Sequence, residues 1–317
     1  MADTCKSGSC GSKGKTCGTA NAAQARQEVA ISRSLGRIKN KILVMSGKGG
    51  VGKSTVATNL ALGLANRGKK VGLMDVDLHG PDICRMLNLT TSLSDSQGKN
   101  DNGLLPPMRY GDNLKVISLE YMMADRDDPI IWRGPLKVAA IRQFLSDMDW
   151  GELDYLVIDA PPGTGDEPLT VAQTIKDAQA VVVTTPQEVA LADVRKSINF
   201  CKHVKMQILG IVENMSGFVC PHCHNTVEIF KSGGGKKIAD LFELPLLGKI
   251  PMDPSVVMGG DDGRPYLSSQ ADSPAIQAFT AFVEQVEART TIQKLTLETV
   301  ASACACGSTC DPNKCAC

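Results

Sequence analysis

The sequence predicts an α/β fold with a doubly wound, mostly parallel sheet and helices on both faces. Buried-strand patterns alternate with helical patterns along the chain, and this alternation is typical of parallel sheets. A glycine-rich loop joins the first strand to a helix, and two later strands close on aspartates. Because ligands bind at the carboxyl ends of parallel strands, we expect the loop and the aspartates to form one site.

The composition limits the classes of function. The chain has 317 residues, enough for one large α/β domain or two small ones. Its net charge is zero and only 4% of residues are aromatic, which argues against broad binding of nucleic acid or acidic membranes. No apolar run approaches the length of a membrane span, and the start, MADTCK, has no apolar secretory core. We therefore expect a cytoplasmic protein without a nucleic-acid or membrane partner.

The first elements of the chain frame the glycine-rich loop. Residues 22–35 are predicted to form a helix and residues 41–45 a buried strand, while residues 54–66 form the helix after the loop. The loop itself fits the phosphate-binding pattern G-x-x-x-x-G-K-[ST]. Its members are Gly47, Lys48, Gly49, Gly50, Val51, Gly52, Lys53, Ser54 and Thr55.

Such a loop binds phosphate because its glycines place no Cβ between the backbone N–H groups and the phosphate oxygens. Lys53 can reach the β- and γ-phosphates, and the Ser54 hydroxyl can ligate Mg²⁺. The N-terminus of the following helix adds partial positive charge. A glycine-rich turn that binds nothing is the alternative, but strand, loop and helix all agree with a nucleotide site.

A short strand at residues 70–75 continues into a second aspartate. We assign Asp77 to orienting or activating the attacking water, and Asp75 to a position nearer the metal ion. The alternative for either residue is to cap a helix or turn. Both roles require that this strand lie next to the phosphate-binding loop.

A second carboxylate follows the buried strand at residues 153–159. Asp159 closes this strand in the Walker B arrangement, in which a carboxylate holds Mg²⁺ through water. Residues 160–166 (APPGTGD) come next, and we interpret them as a switch that changes shape when the γ-phosphate leaves. A rigid turn imposed by the two prolines is the alternative.

The remaining elements complete the alternating pattern, and no internal repeat interrupts it. Residues 90–107 are predicted to be a polar surface excursion, and a final helix begins with Ser273 as its cap and Pro274 at its first position. Further strands are predicted at 114–119, 180–184, 207–213 and 244–250, and further helices from about 135 to 148, at 187–203 and after 235.

Twelve cysteines are many for a reducing compartment, where they serve more often as metal ligands than as disulfides. Cys220 and Cys223 form a C-x-x-C turn in an insertion at residues 215–235, which puts two thiolates on one metal. A zinc ion or iron–sulfur cluster needs four ligands, which a two-fold dimer would supply. A tail, His222 or His224 could complete the set instead. A zinc turn and a redox C-x-x-C are the alternatives.

Cysteines also mark the two ends of the chain. We predict a disordered tail at residues 1–21, a nucleotide-binding domain at 22–292 and a cysteine-rich tail at 293–317. The second tail carries five cysteines, which favour soft metals such as Zn²⁺, Cu(I) or iron–sulfur species. An oxidation-prone tail with no fixed role is the alternative.

The motifs at 47–55, 75–77, 131–135, 159–166 and 213–223 together resemble the Mrp/ApbC family of iron–sulfur cluster carriers, within the deviant Walker A ATPases. The N-terminal cysteines are also similar to its eukaryotic Nbp-type branch, although their spacing differs. The resemblance covers residues from about 25 to 290. It implies a homodimer with a labile [4Fe–4S] cluster between its subunits. ATP binding and hydrolysis would govern cluster loading from an assembly scaffold and transfer to apo-proteins.

The resemblance also implies roles for single residues. Lys48 would cross the dimer interface to the partner's nucleotide, whereas a solvated surface charge is its plain alternative. Asn214, Pro251 and Asp253 would lie against the adenine, and we favour ATP because no Asn-Lys-x-Asp guanine motif follows the late strands. Lys48, Lys53, Asp77 and Asp159 would be the catalytic set, with slow turnover.

Three other classes remain open on the sequence. A partitioning or positioning ATPase of the ParA/MinD kind would need a basic DNA-binding face or a basic amphipathic C-terminal helix. A reductase similar to the nitrogenase iron protein would pass electrons from the cluster, and a nickel or zinc insertion chaperone would carry a single metal.

Overall fold

The structure is a computed structural model. It describes residues 14–77, 80–89, 98–122, 134–220, 222–223, 225–265, 267 and 273–303. Residues 1–13 and 304–317 of the predicted tails, residues 90–97 of the predicted polar segment, residues 131–133 and His224 lie outside the described residues.

Nine strands in the described ranges form one sheet with the order β3-β4-β2-β5-β1-β6-β7-β8, and β9 pairs with β7. The pairs are parallel except for β3 with β4 and β7 with β8. The strands are β1 (Ile38–Ser46), β2 (Val71–Asp75), β3 (Met108–Tyr110), β4 (Leu114–Ile117), β5 (Leu153–Asp159), β6 (Gln179–Thr184), β7 (Gln207–Val219), β8 (Thr226–Val227) and β9 (Leu246–Met252). The predicted fold class is therefore confirmed.

The helices pack in groups along the sheet: α1 on α4 and α4 on α5, α2 on α9, and α6 on α7. Their bounds are α1 (Gly14–Leu35), α2 (Lys53–Asn66), α3 (Ile83–Met86), α4 (Gly134–Ser146), α5 (Asp166–Thr174), α6 (Glu188–His203), α7 (Gly234–Leu241), α8 (Pro254–Asp261) and α9 (Pro274–Ala303). None of the helices in the described part of the chain has both the length and the apolar character needed to span a bilayer.

The central strands are buried on both faces. Ile42, Leu43, Val44 and Met45 of β1 are all inaccessible to solvent, although successive side chains of a strand point to opposite faces. Helices must therefore cover both faces, as in other parallel sheets. Among these helices, α2 approaches α9 closely at Gly63, where a Cβ would lie 2.5 Å from Cγ2 of Val283.

The order of the strands places the aspartates beside the loop. β5 lies between β1 and β2, so three strand ends from distant parts of the chain meet at one edge. Asp75 and Asp159 are register partners at the ends of β2 and β5. The sequence predicted these strands, whereas their order follows from tertiary packing.

Several boundaries differ from the sequence prediction. α1 begins at Gly14 instead of residue 22, so residues 14–21 of the predicted disordered tail are helical, because extending an existing helix adds one hydrogen bond for each residue fixed. β7 continues past Glu213 to Val219, since its last residues pair with β8 and β9. The short elements α3, β3, β8 and α8, and helix α5 directly after the predicted switch, were not predicted.

Candidate active site and metal centre

The glycine-rich loop connects β1 to α2 and is shaped by close backbone contacts. Gly50 and Gly52 adopt φ values of 76° and 77°, in the left-handed region that favours glycine. At Gly47 a Cβ would lie 2.3 Å from the backbone carbon of Asp193 in α6. The glycine spacing of the motif therefore reflects contacts of the loop as well as room for phosphate.

Lys53 lies among the predicted carboxylates. Its Nζ is 2.6 Å from Oδ1 of Asp159 and 3.8 Å from Oδ2 of Asp77, and it donates to the Ser54 hydroxyl at 3.3 Å. The side chain is nearly buried, so the ammonium is screened little by water. The structure thus brings three other predicted site residues, Asp77, Asp159 and Ser54, around the Lys53 ammonium.

Asp159 has the features of a cation ligand, because one of its two carboxylate oxygens is available to bind a cation. Its Oδ2 is buried and has no hydrogen-bond partner among the described residues, while Oδ1 accepts from Lys53. Burial raises the pKa of this carboxyl, and the Lys53 ammonium partly opposes the rise. A buried acceptor without a partner is costly, so a metal ion or its bound water would satisfy it. Asp159 and the nearby Ser54 hydroxyl therefore fit a magnesium site.

Asp75 uses both of its oxygens within the protein. Oδ1 accepts from the backbone N–H of Asp77 at 3.0 Å, and Oδ2 accepts from the Ser118 hydroxyl at 3.2 Å. Burial and the neighbouring Asp159 carboxylate raise the pKa of Asp75 well above its usual value. This geometry holds the backbone of Asp77 in place, and the predicted position of Asp75 nearer the metal stays a prediction.

Two adjoining cavities lie along the loop. One, of about 290 Å³, is lined by the loop residues together with Asp77 and Pro162. The other, of about 280 Å³, is mainly apolar and is bounded by the end of β7, by β9 and by α8. Gly52 and Thr55 line both cavities, so a polar and an apolar cavity lie side by side along the loop. This arrangement suits a nucleotide whose phosphates and base occupy the two cavities.

The apolar cavity contains all three residues that the resemblance assigned to the base. These are Asn214, Pro251 and Asp253. The Asn214 amide donates to the carbonyl oxygen of Val51 at 2.9 Å, and Asp253 caps α8 by accepting from the Ser255 N–H. β7 is thereby tied directly to the phosphate-binding loop.

Lys48 lines the polar cavity, and its side chain contacts a residue next to α6. Its Nζ donates to Oε1 of Gln187, just before α6, at 3.2 Å. The predicted switch is also close, because the Gly163 N–H donates to the carbonyl oxygen of Ser46 at 2.8 Å. The Ser46 hydroxyl also donates to the carbonyl oxygen of Lys48, so the end of β1 contacts both the switch and Lys48.

The cysteine pair lies at the tip of the hairpin formed by β7 and β8. Cys220 is half-buried and Cys223 is exposed, and the Cys220 N–H donates to the carbonyl oxygen of Asn225 at 3.0 Å. Hydrogen bonds from the backbone N–H groups of Cys223 and His222 lower the pKa of the Cys220 thiol, which favours the ligating thiolate. Across the described ranges, no group of three or more metal-ligating side chains occurs.

Sequence reasoning gave no role to three residues that shape the site. Ser118 contacts Asp75, Gln187 holds Lys48, and the buried Glu213 accepts hydrogen bonds from the start of α7. Each acts through a contact distant in sequence, and no local motif indicates such contacts.

The fold and the loop together define a P-loop NTPase, with a second lysine directly after the first glycine of its loop. A family profile described as ParA, NUBPL iron-transfer P-loop NTPase, matches residues 37–287. The chain belongs to this family.

Similar proteins agree with this assignment. The chain is 47% identical over 262 residues to a cytosolic Fe-S cluster assembly factor NUBP2 homolog of Nematostella vectensis, covering 81% of this chain and 96% of that protein. It is 46% identical over 287 residues to an iron-sulfur cluster carrier protein of Methanocaldococcus jannaschii, covering 90% and 97%. A solved nucleotide-binding protein from Archaeoglobus fulgidus in complex with ADP matches with a TM-score of 0.67 and 38% identity, over 80% of this chain and 96% of that one.

Proposed function

We propose that this protein is a cytosolic, ATP-hydrolysing carrier of iron–sulfur clusters. It holds a labile [4Fe–4S] cluster between two copies of the chain, receives it from an assembly scaffold and transfers it to apo-proteins. One observation carries the proposal: β7 contributes Asn214 to the apolar cavity beside the loop, and Cys220 of the cysteine pair directly follows the last residue of β7. The names of the similar proteins from Nematostella vectensis and Methanocaldococcus jannaschii support the cargo.

The pairing of two chains follows from the number of ligands. The described residues of one chain bring two thiolates together, and a four-iron cluster takes four. A two-fold contact joins the same patch of each copy and would place four sulfurs around one cluster. The cluster is cargo, so the exposed position of Cys223 suits its release to an acceptor thiol.

ATP hydrolysis relies on positioning and charge. Bound Mg²⁺ would supply charge neutralisation at the β- and γ-phosphates, and Ser54 and Asp159 would hold it. Lys53 contacts Asp159 and Asp77 in this structure, and phosphate oxygens would compete for its ammonium. Asp77 then orients the attacking water, with its backbone fixed by Asp75. We expect slow turnover, since the nucleotide acts as a switch.

Anaerobic reconstitution with iron and sulfide tests the proposal. We expect a coloured dimer with about two irons per chain, because one four-iron cluster is shared by two copies. The loaded protein should activate an apo-enzyme that needs a [4Fe–4S] cluster. A colourless monomer, whichever nucleotide is added, would refute the proposal.

Mixing two inactive variants tests whether Lys48 acts across the dimer. Lys48→Ala and Lys53→Ala should each be inactive alone. In a mixed dimer, the site on the Lys48→Ala chain keeps its own Lys53 and receives Lys48 from the other copy. Random pairing makes half of the dimers mixed, each with one complete site, so co-expression should restore about a quarter of wild-type activity. A mixture as inactive as its parents would show that Lys48 acts within its own chain.

Removing residues 304–317 tests whether the cysteine tail takes part in the central site. Ser273 and Pro274, at the start of α9, line the same groove as Cys220. α9 has 30 residues, so its end lies about 45 Å from that groove. We therefore expect the truncated chain to keep the iron bound by Cys220 and Cys223. Replacing the five tail cysteines by serine is the matched control, and loss of that iron in both variants would contradict the expectation.

A further inference from the structure

The insertion that carries the cysteine pair begins and ends on one buried carboxyl group. Glu213 lies in β7 with no exposed surface, two residues before the start of the insertion. Its Oε1 accepts from the Ser216 hydroxyl at the start of the insertion and from the Gly233 N–H at its end, the latter at 3.0 Å. Its Oε2 accepts from the Gly235 N–H. One side chain therefore joins the two ends of the insertion.

The first turn of α7 is fitted closely around this group. Gly233 has a φ of 80°, and a Cβ at Gly235 would lie 2.9 Å from the Cβ of Glu213. A Cβ at Gly234 would lie 2.4 Å from the carbonyl oxygen of Pro186, one residue before Gln187. The glycines thus let the N-terminus of α7, with its partial positive charge, close on the carboxylate.

Stability alone does not explain a buried carboxylate at this place. Burying a charge is costly, and an apolar side chain of similar volume is often equally stabilising. The carboxylate instead fixes the relative positions of its donors, since its two oxygens accept three hydrogen bonds. Such a group specifies where the chain leaves β7 and where it enters α7.

The hairpin needs this specification because it is small. β8 has only two residues, and Phe218 and Val219 of β7 supply their partners. A hairpin with so few pairs is marginally stable by itself. Pairing of Phe218 with Met252 of β9 holds one side of the hairpin to the sheet, and its direction is otherwise set at its base, where Glu213 lies. The neighbouring Asn214 donates to Val51, so the same base contacts the nucleotide loop.

We propose that Glu213 is the positioning residue of the Cys220–Cys223 pair: its carboxylate fixes the base of the hairpin so that the pairs of two copies meet in register for a shared cluster. This inference rests on the proposed function and adds a residue to its machinery. Glu213 itself contacts neither the cluster nor the nucleotide.

Glu213→Gln is the direct test, because it keeps the volume but turns an amide N–H₂ toward backbone donors. Loss of a group that orients metal ligands typically weakens metal binding about 10- to 100-fold. We therefore expect the reconstituted cluster to be lost to a chelator at least about tenfold faster, with an altered visible spectrum. The KM for ATP should stay within about threefold of wild type, because Asn214 and the loop remain. Glu228→Gln is the matched control, since Glu228 is an exposed glutamate of the same insertion that bonds Ser232.

A second readout does not depend on a bound cluster. In the metal-free protein, the rates at which iodoacetamide alkylates Cys220 and Cys223 report the geometry of the hairpin. We expect the two rates to change in Glu213→Gln and to stay unchanged in Glu228→Gln. Ser216→Ala removes one of the three hydrogen bonds and should give an intermediate effect if Glu213→Gln fails to fold.

The outcomes separate the two proposals. If wild type binds a cluster and a folded Glu213→Gln variant keeps it equally long, with unchanged alkylation, the positioning role is wrong and the carrier function stands. If Glu213→Gln does not fold and Ser216→Ala behaves as wild type in both measurements, the positioning role is equally wrong. If wild type binds no cluster, the carrier function fails, while the alkylation rates still decide whether Glu213 fixes the hairpin.

Discussion

Lys53→Ala is expected to lower kcat for ATP hydrolysis about 100- to 1,000-fold, because it removes the buried cation that we assign to the transferring phosphoryl group. In this structure the Lys53 ammonium lies 2.6 Å from Asp159 and 3.8 Å from Asp77. Lys53 therefore links the loop to two carboxylates. We assign Asp159 to holding the metal ion and Asp77 to orienting the water. Phosphate release under saturating ATP and Mg²⁺ measures the effect.

Lys41→Ala is the matched control for this variant. Lys41 is another nearly buried lysine, and its Nζ lies 2.7 Å from Oδ2 of Asp177. It lies on β1, the strand that precedes the loop. Loss of the Lys41 side chain should lower the free energy of unfolding and leave kcat close to that of the wild type. Full ATPase activity in a folded Lys53→Ala variant would show that the loop does not carry the chemistry.

Cys220→Ala is expected to abolish stable cluster binding. Each dimer would lose two of its four sulfur ligands, because the variant removes the same thiolate from each copy. Hydrogen bonds from the surrounding N–H groups lower the pKa of the Cys220 thiol, which favours the ligating thiolate. Iron and sulfide content after anaerobic reconstitution, with the visible absorption of the cluster, measures the loss.

Cys201→Ala provides the control for the loss of a thiol as such. Cys201 is buried against the Met45 sulfur, and burial raises the pKa of its thiol to about 12, so it is no thiolate at neutral pH. We expect this variant to bind the cluster as wild type does. Normal iron content in Cys220→Ala would exclude the hairpin as the cluster site. ATP hydrolysis in Cys220→Ala should continue, since the nucleotide cavities lack Cys220.

Sequence patterns predicted the parts of this protein that depend on neighbouring residues. The glycine spacing at 47–52, the apolar run that ends at Asp159 and the C-x-x-C pair are all local features. The start of α9 is another, and the Ser273 hydroxyl accepts from the Ile276 N–H at 3.3 Å as the cap predicts. Such features can be predicted because backbone geometry and side-chain chemistry act over a few residues.

Tertiary structure alone decided how these parts act on one another. The order of the strands places Asp75 opposite Asp159, and packing brings Gln187 to Lys48 and the start of α7 to Glu213. These contacts join residues far apart in the chain, and their energies depend on burial and on exact direction. At the end of a strand pattern, the sequence does not distinguish a glutamate that faces water from one that accepts three hydrogen bonds. The sequence therefore determined which chemistry this chain contains, and the fold determined which residues hold that chemistry in place.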